Sequence, residues 1–261
     1  MSSLTSTRYE LLTSPPDMSG PAYKDVLRLL DEAIGYPAPA SLYAQTADIP
    51  FKASPIAPLP PKKGQAKDVT IGVCLGHARK GDMGARAVNG VYEEQLYEVV
   101  IPPVVEKLRA DGYKVIVYDN YEGSSYGSAM RWIARKLKED EVDFAVELHF
   151  NAASPSAKGF EFLHWHRSKV GVKAAQDMQD TQAGLTPWQA NRGAEPLGDQ
   201  AHERGVLFTS LPHCPSVIAE YFFGSNSQEV SKYMNGNKPS PTPLLLDVCY
   251  RTIKAGAEAI T

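Results

Sequence analysis

A chain of 261 residues, 43% of them apolar, is long enough for one large domain with a full core plus a smaller appendage. Its 27 basic and 30 acidic residues leave a formal charge of −3 without any lysine- or arginine-rich run, which removes the electrostatic case for nucleic acid. No apolar stretch reaches the roughly eighteen residues of a membrane span, and three cysteines without metal-type spacing, Cys74, Cys214 and Cys249, argue against a disulfide framework.

The amino-terminal run MSSLTSTRYELLTSPPDM lacks the basic start and apolar core of a Sec signal peptide. Residues 22–34 put Val26, Leu29, Leu30 and Ala33 on one helical face, with Gly35 as a stop and Pro37 beyond it. Repeated prolines over 37–63 disfavour both helix and sheet and predict an extended linker. Residues 1–66 therefore read as an extension, a helix and a proline-rich linker able to engage a protein partner, and 67–261 as the main globular domain.

From Asp68 onward, strand and helix patterns alternate, which argues for a layered α/β fold. VTIGVCL and KVIVYD are strand runs, and residues 92–110 between them carry a helical stripe of Leu96, Val100, Val104 and Leu108. Pro102 and Pro103 inside that stripe predict a kink or a division into two helices. SYGSAMRWIARKLKEDEV is a helix with Met130, Ile133, Ala134 and Leu137 on one face, followed by the strands DFAVEL and GFEFLHW and the helix SKVGVKAAQDMQDTQ. A turn-rich loop through NRGAEPLGDQ leads to the strands VLFTS and PSVIAEYF, and SQEVSKYM and LLLDVCYRTIKAGAEAI close the chain as helices.

Three of the apolar runs end in reactive side chains: VTIGVCL in Gly76-His77, DFAVEL in His149, and PSVIA in Glu220. Taken singly, such a histidine is more often a hydrogen-bonded rim residue and such a glutamate a solvated one. Their shared placement puts them together at the carboxyl edge of a sheet, where open α/β folds build their sites. Two imidazoles and a carboxylate form the ligand set of a catalytic zinc with one open position, and a further glutamate can serve as its base. The carboxylate is Glu93 or Glu94, neighbours pointing about 100° apart on a helix. Gly76 allows a sharp turn that aims His77 at the cleft, and Glu220, ahead of Tyr221-Phe222-Phe223, is expected to be desolvated and therefore more basic than a surface carboxylate.

The order Gly-His, a glutamate opening a helix, Leu-His-Phe-Asn-Ala, Asn-Arg-Gly, Pro-Ser-Val-Ile-Ala-Glu and Ser-Asn resembles the zinc-dependent N-acetylmuramoyl-L-alanine amidases of the amidase 3 group, over residues 69–261. The resemblance implies a three-layer α/β/α fold with a mixed central sheet. It also implies one zinc per chain on His77, Glu93 and His149, with Glu220 as catalytic base, and a peptidoglycan substrate cut between the lactyl group of muramic acid and L-alanine. Glu93 is chosen over Glu94 because the group's helix offsets fall on Leu96, Val104 and Gly112 from Glu93, but on Tyr97, Val105 and Tyr113 from Glu94. GHARKGDMGA departs from the group's loop, with Ala78 in place of a glycine and one extra residue before Asp82. Glu147-Leu148 likewise replaces the usual Ser-Ile.

On this reading Asn151 orients the loop beside the substrate, Arg192 meets a muropeptide carboxylate or is simply solvated, and Glu147 supports a ligand imidazole or is an ordinary buried polar residue. His164 and His166 could pair on a strand face around a metal, but the ligands are supplied elsewhere, so both are expected on a substrate wall or the surface; His202 and His213 are loop residues. Action in the periplasm or cell wall sits awkwardly with the missing Sec signal and implies lysin-type release, delivery by a secretion machine, or a chain without its signal. The rivals are a zinc carboxypeptidase-like peptidase, disfavoured because His77 and Glu93 are sixteen residues apart, and an inactive wall-binding module of the same fold.

Overall fold

The computed structural model describes residues 68–198 and 205–261. The 22–34 helix, the 37–63 linker, the 66/67 boundary and His202 lie outside the described residues. Six strands form one sheet in the order β2-β1-β3-β6-β4-β5: β1 (Thr70–Leu75), β2 (Lys114–Tyr118), β3 (Phe144–Asn151), β4 (Phe160–Trp165), β5 (Asn191–Leu197) and β6 (Ser216–Phe223). The pairs β1–β2, β1–β3, β3–β6 and β4–β5 are parallel, while β4 runs antiparallel to β6. The sheet is therefore mixed, as expected.

Near-continuous burial of β1, β3 and β6 explains why they are mostly apolar, since strands covered on both faces need apolar residues on both. The helices are α1 (Glu93–Ala110), α2 (Tyr126–Glu139), α3 (Lys169–Leu185), α4 (Val206–Ser210), α5 (Ser227–Tyr233) and α6 (Pro243–Ala259). On one face α3 and α6 close over β3, so tightly that a Cβ at Gly256 of α6 would lie 2.6 Å from the Phe144 ring and 2.9 Å from Met178 of α3. On the other, α2 packs over β1, with Leu137 only 2.8 Å from where a Cβ at Gly72 would stand. Ser125 caps α2 and Thr242 caps α6, which has proline in its first turn where no donor is needed. No helix among the described residues is long and apolar enough to cross a membrane.

Three expectations change. First, α1 is a single helix through Pro102 and Pro103. Both prolines lie off its buried face of Leu96, Val100, Val104 and Leu108, Pro102 part-buried and Pro103 exposed, so that face packs without a break, and the expected division into two helices does not occur. Second, VLFTS is the single-turn helix α4: it opens on left-handed Gly205 at φ 82°, and the Thr209 hydroxyl donates back to the carbonyl of Val206 at 3.2 Å. Third, NRGAEPL is strand β5. It pairs with β4 alone at the sheet edge, where Pro196 takes no ladder bond away from a second neighbour.

Candidate metal centre and its surroundings

The carboxyl ends of β1 and β3 and the first residue of α1 meet at one point. One ligand-type atom from each of His77, Glu93 and His149 lies within 4.8 Å of the other two, and this group is what the structure offers a cation among the described residues. Glu93 is 2% exposed and sits at the start of α1, where the helix dipole favours a carboxylate. Its Oε1 accepts the Phe150 backbone N–H at 3.0 Å and lies 2.7 Å from His149 Nδ1. Its Oε2 accepts the Ala85 N–H at 3.0 Å and lies 3.3 Å from His77 Nε2. Glu94, the next residue, is half-buried and outside this convergence.

Each imidazole turns its second nitrogen to another carboxylate. His77 Nδ1 is 2.8 Å from Asp82 Oδ1, and His149 Nε2 is 3.0 Å from Glu147 Oε2, whose Oε1 accepts the Tyr121 hydroxyl at 2.9 Å. This is the arrangement that fixes tautomer and ring direction in metal-binding histidines. Burial alone would raise the Glu93 pKa, but the hydrogen bonds and charge of His149 and His77 outweigh it and hold the group at about 2. Burial works against a charged His149, and its contacts with Glu147 and Glu93 overcome that and push its pKa well above the ordinary imidazole value. Glu94 behaves oppositely, raised to about 7 by burial and by the neighbouring Glu98 and Asp82. An anionic, buried carboxylate between two oriented imidazoles is a donor set that fits zinc.

Close approach is secured by two glycines. It is His77 itself that takes the left-handed conformation, at φ 62°, and not Gly76. Gly76 is required for a different reason: a Cβ there would stand 2.5 Å from His149 Cε1. Gly84, at φ 69°, would put a Cβ 2.5 Å from His77 Cδ2 and 2.7 Å from Glu93 Oε2. Gly84→Ala should therefore lower cation affinity at least about tenfold while costing only about 1–2 kcal/mol of stability; metal content after dialysis and a thermal melt measure the two separately. Equal metal content in variant and parent would show that the loop relaxes away from the ligands.

Glu220 lies on β6 directly beside His149 of β3 and opposite Glu161 of β4, so all three side chains share a sheet face. Glu161 holds two residues of interest: its Oε1 accepts from Asn151 Nδ2 at 2.6 Å, and its Oε2 accepts from Arg192 Nε at 2.7 Å. Arg192 is neither inside the metal group nor merely solvated, because its guanidinium also lies over the Phe223 ring, 5.1 Å from the centroid. The pairing of β3 with β6 shifts register between His149 and Asn151, the residue that donates to Glu161. His164 and His166 do not join the cluster. His164 is buried, 4% exposed, on the opposite strand face from Glu161, which corrects the expectation of a wall or surface role, whereas His166 is exposed. His213 is an exposed loop residue.

The family model for N-acetylmuramoyl-L-alanine amidase matches residues 71–240, about two thirds of the chain. The chain belongs to this family. Several solved structures share the fold. The N-acetylmuramoyl-L-alanine amidase AmiC2 of Nostoc punctiforme superposes with a TM-score of 0.55 at 16% identity, over 74% of this chain and 94% of that one. The catalytic domain of CwlV, an N-acetylmuramoyl-L-alanine amidase from Bacillus (Paenibacillus) polymyxa var. colistinus, gives 0.55 at 18% identity, over 74% and 96%. The catalytic domain of the CD27L endolysin targeting Clostridia difficile gives 0.51 at 23% identity, over 62% and 86%. No curated protein sequence matches the chain.

Reading the sequence of this family member missed Asp82, Glu161 and Glu229 as parts of the site. Glu161 is a carboxylate between two buried aromatic residues, Phe160-Glu161-Phe162, and that interruption is the signal that could have found it. Glu229 accepts the Gly159 and Phe223 N–H groups at 2.8 and 2.7 Å, tying β4 to the end of β6. Nothing in its helical context signals that role.

Proposed function

We propose that this chain is a zinc-dependent peptidoglycan amidase that cleaves the amide between the muramic acid lactyl group and L-alanine of the stem peptide, with one zinc on His77, Glu93 and His149. The observation that carries the reading is the convergence of those three side chains on one point beside Glu220, in a chain of the amidase family. Bound there, zinc supplies Lewis acidity, polarising the scissile carbonyl and making a water easier to deprotonate.

The protein's own groups do the rest. Glu220, part-buried within the otherwise buried strand β6, takes the proton from the attacking water and returns it to the departing alanine nitrogen. Asp82 and Glu147 keep the imidazoles in one orientation, so no reorganisation is needed as charge develops on the carbonyl oxygen. Asn151 and Arg192, fastened to Glu161, flank the substrate on the β4 side. Catalysis is assigned to 67–261, with 1–66 as an extension suited to a protein partner, and the place of action is the cell wall or periplasm.

Digestion of purified peptidoglycan tests the assignment. Mass spectrometry should find stem peptides with a new L-alanine amino terminus and glycan chains that keep the lactyl carboxylate. New reducing sugar ends would instead mark a glycosidase, and loss of single terminal amino acids a carboxypeptidase. Intact peptidoglycan after incubation with zinc-loaded protein would favour the inactive wall-binding module.

A further inference from the structure

A second recess lies on the same sheet edge as Glu220 and is used by nothing described so far. It is a cleft of about 310 Å³ between the loop ahead of β4, the turn that follows α3, and α5; its walls include Lys158, Trp188 and Lys232, and its floor Gln189, Asn226 and Glu229. A Cβ at Gly159, the neighbour of Lys158, would stand 3.0 Å from Arg192 Cγ, so the recess lies beside the arginine that Glu161 holds opposite Glu220. Three residues of strand cover about 10 Å, and a bound extended peptide advances at the same pace.

The walls are exposed and the floor is not. Trp188 is 48% exposed, an unusual state for so large a side chain, and Lys232 Nζ stands 5.8 Å from its ring centroid. The floor residues are committed within the protein. Glu229 accepts two backbone N–H groups, Gln189 Nε2 donates to the Tyr221 carbonyl at 3.0 Å, and Asn226 Nδ2 donates to the Ala157 carbonyl at 3.0 Å. The carboxylate on the floor is thereby occupied by backbone donors, while Lys158, whose charge also bears on it, and Lys232 and Trp188 are exposed. The recess is preformed and presents positive charge.

We infer that this cleft binds the carboxylate-bearing far end of the stem peptide, with Lys158 and Lys232 pairing the carboxylate and the indole of Trp188 covering the adjoining side chain. The inference rests on the amidase reading, because it is the scissile amide held at Glu220 that brings the third or fourth stem residue to this distance. A recess built for a glycan ring would use the indole and have no need of two ammonium groups; here the cationic pair points to an anion. The role is one of specificity, separate from the bond-breaking groups.

Kinetics on synthetic substrates test it. N-acetylmuramoyl tetrapeptide with a free terminal carboxylate is compared with its carboxamide and with N-acetylmuramoyl dipeptide, for the zinc-loaded full chain and its K158A/K232A variant. The carboxylate form of the tetrapeptide should show a KM about tenfold below the carboxamide in the parent and lose that advantage in the variant, with kcat unchanged and the dipeptide unaffected. A variant that slows all three substrates equally, or a parent indifferent to the carboxamide, overturns the inference, as does a Trp188→Ala loss that tracks glycan length and not peptide length. The parent's comparison of carboxylate with carboxamide stands even where the variant does not fold. Calorimetric binding of the free tetrapeptide needs no turnover. Weaker binding by the variant keeps the cleft assignment even if the chain proves not to cut the amide, and equal binding by parent and variant ends it.

Discussion

Glu220→Gln should leave zinc content, fold and peptidoglycan binding intact and lower kcat by about 10²–10⁴, the range expected when a positioned general base is lost. Glutamine keeps the volume and one acceptor oxygen of the original side chain, so the packing of β6 between β3 and β4 is undisturbed. It cannot take up a proton from water. The substitution thus isolates proton transfer from metal binding, which the three convergent ligands supply on their own. Single-turnover cleavage of a soluble muropeptide, alongside elemental analysis of the same preparation, is the measurement. A variant that retains a tenth or more of the parent rate would remove Glu220 from the chemistry and turn attention to Glu147 or Glu161.

The second large effect separates the adjacent glutamates. Glu93→Ala should lose zinc altogether under dialysis, and activity with it, while Glu94→Ala stays near the parent in both. The asymmetry follows from geometry: Glu93 touches both imidazoles and both backbone N–H groups of its pocket, whereas Glu94 sits outside the convergence. Alanine at 93 also leaves the N–H groups of Ala85 and Phe150 without an acceptor, costing about 1–3 kcal/mol, so Glu93→Gln is the companion variant. Glutamine restores an acceptor for an N–H but carries no charge, and zinc affinity should still fall by orders of magnitude. Zinc retained by Glu93→Ala and lost by Glu94→Ala would mean that α1 is rotated by one residue relative to the assignment.

The sheet was legible in the sequence wherever a strand is buried on both faces, because β1, β3 and β6 then need apolar residues on both and carry few others. Their ends carried the site with them, since a polar side chain directly after such a run has only the sheet edge to occupy. Edge strand β5 was not legible: with one neighbour and mostly exposed residues, NRGAEPL needs neither apolar alternation nor freedom from proline. α4 was misread because five residues are too few to show any period, and Val-Leu-Phe-Thr suits strand and single turn alike. Of the two outcomes that Pro102 and Pro103 allowed, a division into two helices is ruled out, because the apolar face of α1 packs continuously past both prolines, and only the packing decides that. The supporting carboxylates Asp82, Glu161 and Glu229 were hidden for a related reason. Each acts on a partner that is distant in sequence or set by loop geometry, and no spacing rule reports such a pairing.

The strand order has a consequence for how the molecule comes to exist. β6 is the last strand in sequence, yet it lies in the middle of the sheet, between β3 and β4. Until residues 216–223 have left the ribosome, the chain holds two separate half-sheets, each exposing an inner edge of mostly apolar residues that no solvent-facing strand would tolerate. Closure demands pairings between segments far apart in sequence, which makes it slow and concentrates the hazard of aggregation in nascent chains and fragments ending before Phe223. The same late insertion delivers Glu220 to the side of His149. A nascent chain therefore cannot assemble the constellation proposed to cut the amide before its whole sheet has closed.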